Sequence, residues 1–283
     1  AYRRIGRQGQ QTGEGRRLSA IREQIQRMIH PTAIISNSAT IASDVEIGPY
    51  AVIGDNVEIG GGTRVDSHVV INGPTSIGVD NHIYQFASIG DDPQDKKYAG
   101  EPTALAIGDR NTIREFCTIS RGTAQDAGTT YVGDDNWIMA YVHIAHDCVV
   151  GNKTILANNT TLAGHVHLGD WVICGGFSGA HQFCKIGAHA FLGMYAGISR
   201  DVPAYTMASG QPASLRGINS EGLKRRDFSA EQIRNIKHAY RLTFRQGKKL
   251  ADAIEEVAEL SKEQPELLIF LDSLRSSERG LTR

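Results

Sequence analysis

A chain of 283 residues, 40% of them hydrophobic, can bury a continuous core without disulfides or structural metals, and has room for one repeat domain plus a tail. Its formal charge of -1 excludes an overall electrostatic grip on nucleic acid. No apolar run approaches the ~20 residues of a membrane span, so stable membrane insertion is excluded as well.

The first 27 residues carry Arg3, Arg4, Arg7, Arg16, Arg17, Arg22 and Arg27 in a Gln/Gly-rich context with little apolar content and no hydrophobic signal core. They read as an N-terminal extension, disordered or partly helical over Leu18 to Ile29, with Met28 as the expected natural start. From there to Pro203 an aliphatic residue recurs at every sixth position, through Ile35, Ile41, Ile47, Ile53 and on to Ile119. The frame slips once and resumes from Val132 to Ile198. A period of six fits neither a helix nor a plain alternating strand, and matches the hexapeptide class of parallel β-helix. Four residues after each aliphatic stands a second small or branched residue, as at Val45, Ala51, Val57 and Thr63, so two series can point inward. Glycine is frequent directly after the aliphatic, at Gly48, Gly54, Gly60 and Gly78 among others, where a corner is expected to need a permissive backbone. Three faces per coil, stacked at ~4.8 Å, give a prism of roughly 40 Å.

Cys117, Cys148, Cys174 and Cys184 all fall on inward positions and read as small buried hydrophobes in a reducing, cytoplasmic compartment. Asp91 to Ala106 lacks the rhythm and is expected to loop out, and Thr123 to Thr130 to form a smaller bulge. After Pro203 helical signals begin: Ser229 with Gln232 as a capping box, an amphipathic helix closed by Gly247, a second near Leu250 to Ser261, and a third after Pro265 with Leu267, Leu268, Leu271 and Leu274 apolar. Residues 28–203 thus form the β-helix and 204–283 a small helical domain.

Ile144, Leu162 and Ala180 are eighteen residues apart, so their hexads share one face of three successive coils. These hexads bring His146, Asp147, Gly164, His165, His181 and Gln182, with His143 just before the first. Four imidazoles and a carboxylate within a few layers suit proton transfer, the carboxylate fixing a histidine tautomer. Solvated surface polarity and a zinc site are the alternatives; Gln182 and Gly164 depart from a clean three-imidazole ligand set. A non-catalytic scaffold is a further reading. The inward cysteines and the lack of a serine in the column leave covalent catalysis without support.

The runs Tyr84-Gln85-Phe86-Ala87-Ser88-Ile89-Gly90, His143 to Cys148, Asn158 to His165 and Gly222-Leu223-Lys224-Arg225-Arg226 resemble the UDP-N-acetylglucosamine O-acyltransferase family from about Met28 to Arg283. The resemblance implies a left-handed helix, a homotrimer, and the first reaction of lipid A synthesis: transfer of an (R)-3-hydroxyacyl chain from acyl carrier protein to the glucosamine 3-hydroxyl of UDP-N-acetylglucosamine, with no cofactor and no metal. It implies His146 as general base, Asp147 as its orienting group and the Gly164 N–H as oxyanion donor. Asp95, Lys97, His143, His165, His181 and Gln182 would surround the substrates, and Asn219, Glu221, Arg225 and Arg226 the nucleotide. Met194 would floor the acyl channel and favour chains nearer ~10 than ~14 carbons. Ser120 and Pro212 stand where relatives often have histidine, which leaves open a related enzyme acting on a 3-amino sugar.

Overall fold

The computed structural model describes residues 28–283; the expectations for residues 1–27 lie outside it. Among the described residues, three sheets of nine, eight and ten strands wrap one apolar column, forming the left-handed parallel β-helix. The period of eighteen is the ladder itself: Ile34 pairs with Val52, Val52 with Val70, His143 with Thr161 and Thr161 with Gly179. Both inward series are buried, from Val45, Ile47, Ala51 and Ile53 to Leu192, Ala196 and Ile198. Each buried aliphatic stabilises by about 1.5–3 kcal/mol. Inward threonines find partners inside the column: Thr63 Oγ1 donates to the Gly78 carbonyl at 3.0 Å and Thr154 Oγ1 to Asn136 Oδ1 at 2.7 Å.

The glycine expectation needs correction. The left-handed backbone falls three residues after the aliphatic, at Asn56 (φ 55°), Asp80 (55°), Asp147 (56°), His165 (63°) and Phe177 (56°), whereas of the glycines one residue after it Gly90 alone has a positive φ, 72°. What those glycines provide is clearance: a Cβ at Gly48 would lie 2.7 Å from the Ser67 nitrogen, and one at Gly169 2.5 Å from that of Ala188. The left-handed positions of the repeat hold no β-branched residue, the type for which that conformation is most strained.

These corner residues stack from coil to coil. At the corner after the ten-stranded sheet Phe86, Phe116 and Tyr141 lie ring on ring with centroids 5.2 and 4.9 Å apart, and Phe177 on Tyr195 at 5.2 Å. Tyr50, Phe86, Phe116, Tyr141, Phe177 and Tyr195 leave 43–59% of their surface exposed, an aromatic edge along the prism.

The strand Ser88–Asp91 continues beyond the expected break and Ala104–Ile107 resumes before its end, so the excursion spans residues 92–103. Arg121, buried, holds it by an ion pair with Asp92 and a bond to the Tyr98 hydroxyl at 3.3 Å. After Pro203 the prism continues where no rhythm announces it: Thr206–Ser209 pairs in parallel with Phe191–Leu192 and antiparallel with Ser214–Ile218. Four helices follow, α1 (Ser220–Lys224), α2 (Ala230–Phe244), α3 (Leu250–Ser261) and α4 (Leu267–Arg275). The Ser229/Gln232 capping box forms on both sides, and Gly247 takes φ 71° after α2. In α4 Leu268 is exposed and Phe270 takes its expected place inside with Leu267, Leu271 and Leu274. Buried Asp201 ties the end of the chain to the prism, accepting from Ser277 Oγ and the N–H groups of Lys185, Glu278 and Arg279. No helix among the described residues is long and apolar enough to cross a membrane.

Candidate active site

The strand His143–Ile144 runs into a corner formed by His146 and Asp147. The left-handed turn at Asp147 brings its carboxylate back to the preceding ring, with Oδ2 2.9 Å from His146 Nδ1. That carboxylate is buried and accepts from the Thr123 N–H at 2.9 Å and the Thr123 hydroxyl at 2.6 Å. The Asp147 N–H donates to Thr130 Oγ1 at 2.8 Å. A ring nitrogen facing a carboxylate carries the proton, so on the neutral ring Nε2 keeps its lone pair. One coil further, a Cβ on Gly164 would lie 2.5 Å from His146 Cε1 and 2.7 Å from Nε2, so only glycine leaves room for this imidazole.

His165, at the next corner, stacks on Phe183 with centroids 4.3 Å apart and meets His146 edge-on at 5.0 Å. Its Nδ1 lies 2.6 Å from Asp126 Oδ2 and 3.8 Å from Asp147 Oδ2. His146, His165, Gln182, Asp95, Lys97 and Asp126 line a cleft of about 580 Å³. Both interruptions of the repeat therefore converge on it, residues 92–103 through Asp95 and Lys97, and the bulge through Thr123 and Asp126.

Of the four expected imidazoles, His146 and His165 line this cleft, and His143 and His181 do not. His143 Nδ1 is 2.7 Å from the Thr118 hydroxyl; burial, and second the charge of His146, hold its pKa below the usual imidazole value. His181 lines a separate cleft with Tyr195, Gln211 and Pro212. Met194 is 65% exposed and borders none of these clefts, and Ser120 is buried. The eighteen-residue repeat aligns hexads and not the positions within them: His143 lies on the strand before the corner, His181 directly after Ala180, and Met194 after a strand of the ten-stranded sheet.

Asn219, Glu221, Arg225 and Arg226 gather with Lys153 and Trp171 around a cleft of about 510 Å³ on another edge of the prism. Asn219 caps α1, accepting from the Gly222 N–H at 3.1 Å and donating to the His189 carbonyl at 3.0 Å. Arg226 lies 5.0 Å over the Trp171 ring, donates to the Trp171 carbonyl at 2.8 Å and faces His189 Nδ1 at 3.0 Å. Burial, and second Arg226, hold His189 down at about 4. Glu221 pairs with Lys224 at 2.8 Å.

One metal-capable group exists among the described residues: donor atoms of His146, Asp147 and His165 lie within 4.8 Å of one another. Asp147 Oδ2 already accepts from Thr123 and His146, and both Nδ1 atoms face carboxylates, so a metal would have to displace existing hydrogen bonds. Thr123, Thr130 and Asp126 were missed as site residues; their only signal was membership of, or adjacency to, the bulge.

The repeat architecture with its cleft is that of the hexapeptide-repeat transferases, the class that the comparisons with known proteins give. The bacterial transferase hexapeptide model (six repeats) matches residues 129–164, and the UDP N-acetylglucosamine O-acyltransferase domain 2 model matches residues 201–282. The acyl-(acyl-carrier-protein)–UDP-N-acetylglucosamine O-acyltransferase of Thiobacillus denitrificans is 59% identical over 255 residues, covering 90% of this chain and 99% of the relative. That of Pseudomonas aeruginosa is 56% identical, with 90% and 99% covered. Among solved structures, LpxA of Acinetobacter baumannii superposes with TM-score 0.89 at 52% identity, covering 90% of this chain and 100% of that one. The Arabidopsis UDP-N-acetylglucosamine acyltransferase gives 0.79 at 35%, with the same coverage. The chain belongs to the acyl-(acyl-carrier-protein)–UDP-N-acetylglucosamine O-acyltransferase family.

Proposed function

We propose that this enzyme transfers an (R)-3-hydroxyacyl chain from its thioester on acyl carrier protein to the 3-hydroxyl of UDP-N-acetylglucosamine, the first reaction of lipid A synthesis. The observation that carries this reading is the His146–Asp147 pair, with Nδ1 held by the carboxylate and Nε2 left basic beside Gly164. Nε2 takes the hydroxyl proton as the oxygen attacks the thioester carbonyl. The carbonyl oxygen becomes an oxyanion, received by the Gly164 N–H. Collapse breaks the C–S bond, and the leaving thiolate takes the proton back from the His146 imidazolium. General-base catalysis contributes about 10²–10⁴ and one oxyanion donor about 10²–10³. No cofactor is consumed.

In this reading Asp95, Lys97, His165 and Gln182 contact substrate from the cleft, and His143 and His181 flank it. Asn219, Glu221, Arg225 and Arg226 bind the nucleotide from a neighbouring subunit, the guanidinium groups suiting a diphosphate. The exposed aromatic edge supports association, and we assign a homotrimer. Four unpaired buried thiols agree with a reducing compartment, and we assign the cytoplasm. The test is acyl transfer from ~10- and ~14-carbon 3-hydroxyacyl carrier protein, native against His146→Ala, with a loss of about 10²–10⁴ expected in the variant. Equal rates would remove His146 as base, and turnover of a 3-amino acceptor alone would replace the assigned acceptor.

A further inference from the structure

The bulge between the strands Thr118–Ser120 and Thr129–Val132 looks dispensable in sequence, yet it reaches the histidine cleft twice. Thr123 holds Asp147, and Asp126 holds His165. The second contact solves a problem of proximity. His165 Nδ1 lies between two carboxylate oxygens, Asp126 Oδ2 at 2.6 Å and Asp147 Oδ2 at 3.8 Å, so it must be a donor. Asp147 Oδ2 is already shared by the Thr123 hydroxyl and His146 Nδ1. Without another acceptor, the nearest carboxylate for the His165 N–H would be the one that orients the base. Asp126 is half exposed and makes no other side-chain bond among the described residues, which leaves it free to serve as that acceptor.

We propose that Asp126 is a positioning residue: by accepting from Nδ1 it holds His165 away from Asp147 and presents Nε2, on the lining of the cleft, as an acceptor for a hydroxyl of the sugar substrate. This deepens the acyl-transfer reading and rests on it. The ring is already fixed on one face by Phe183, so a single hydrogen bond at Nδ1 is enough to set its rotation. Nothing in the proposal requires Asp126 to touch substrate.

The experiment measures KM and kcat for UDP-N-acetylglucosamine in the native protein and four variants, with calorimetric affinity for the same nucleotide as a readout independent of turnover. Asp126→Ala is expected to raise KM and weaken affinity about 3- to 10-fold, as loss of one neutral hydrogen bond does, with kcat changed less. Asp126→Asn keeps an oxygen acceptor in place and should stay within about twofold of native. In a His165→Gln background, Asp126→Ala should add less than about 1.5-fold, because it acts only through that ring. An unaltered KM in Asp126→Ala, an asparagine variant as weak as the alanine one, or full additivity with His165→Gln would each overturn the proposal. Inactivity of the native protein would instead sink the transfer reading, and calorimetry would still report on Asp126.

Discussion

Gly164→Ala separates two roles that the same residue carries in the proposed mechanism. The substitution keeps the backbone N–H and adds one methyl carbon, which would stand 2.5 Å from Cε1, 2.7 Å from Nε2 and 3.1 Å from Nδ1 of His146. Contacts below 3 Å must be relieved, and a side-chain carbon needs about 3.5 Å, so the ring has to retreat by about an ångström. The ring cannot do this and keep its 2.9 Å bond to Asp147, which Thr123 and Thr130 anchor from the other side. A displacement of about 1 Å in a reacting group costs about 10²-fold in rate, or about 2.7 kcal/mol of transition-state stabilisation. Gly164 is not among the positive-φ glycines, so alanine brings no backbone strain and the thermal midpoint should move little. The assay is acyl transfer beside thermal unfolding. A variant with native kcat would refute the clearance argument, and a loss matched by unfolding would show packing rather than ring position to be at fault.

Protonation of buried histidines should drain stability as the medium acidifies. The unfolded chain takes up a proton at each histidine near pH 6.5, whereas the fold resists until about 4 at His189, held down by burial and then by Arg226. The stabilisation is whole above that window and is lost as pH falls through it, by about 2–3 kcal/mol for His189; denaturation midpoints at about pH 7.5 and about pH 4.5 should converge in His189→Gln if this holds. Burial pushes Cys148 and Cys174 up to about 12, and Cys117 and Cys184 to about 11, so a thiol reagent should label the native protein no faster than it unfolds. Rapid labelling at neutral pH would contradict that burial. Met194→Ala should shift the donor preference toward the longer acyl chain by about 1–3 kcal/mol per accommodated methylene, read as the ratio of kcat/KM values; an unmoved ratio removes Met194 as the channel floor.

Much of the architecture is legible because a β-helix repeats its constraints. Each aliphatic of the hexad lies under the next, and Ile53, Ile71, Ile89 and Ile119 reach full burial for the same reason. Legibility fails where a residue's task is set by a neighbouring coil rather than by its own hexad. Gly48 and Gly169 look like flexible corners and are instead spacers against the coil above. The hairpin of Thr206–Ser209 and Ser214–Ile218 carries no hexad frame, since its partner runs antiparallel. At the site, His146 and Asp147 are adjacent in sequence and easily found. Asp126 is not, because 39 residues separate it from His165 and only the folded bulge joins them.

The geometry of one chain leaves the proposed site in halves, and a mixing experiment can join them. His146 and His165 stand at the corner after the nine-stranded sheet, while Trp171 and His189, against which Arg226 is fixed, stand at the corner after the eight-stranded one. A prism built on continuous parallel ladders cannot fold one edge onto another, so a substrate reaching both sets must lie between subunits. In a cyclic trimer each cleft would take its base from one chain and its nucleotide-binding arginine from the next. His146→Ala and Arg226→Ala should each be weak alone. Co-assembled at equal ratio, half of the chains offer an intact base and half an intact arginine, so about a quarter of the clefts are complete and about a quarter of native activity returns. Activity no higher than the average of the two variants would place both halves on one chain and refute the shared cleft, provided that mass measurement confirms mixed assemblies.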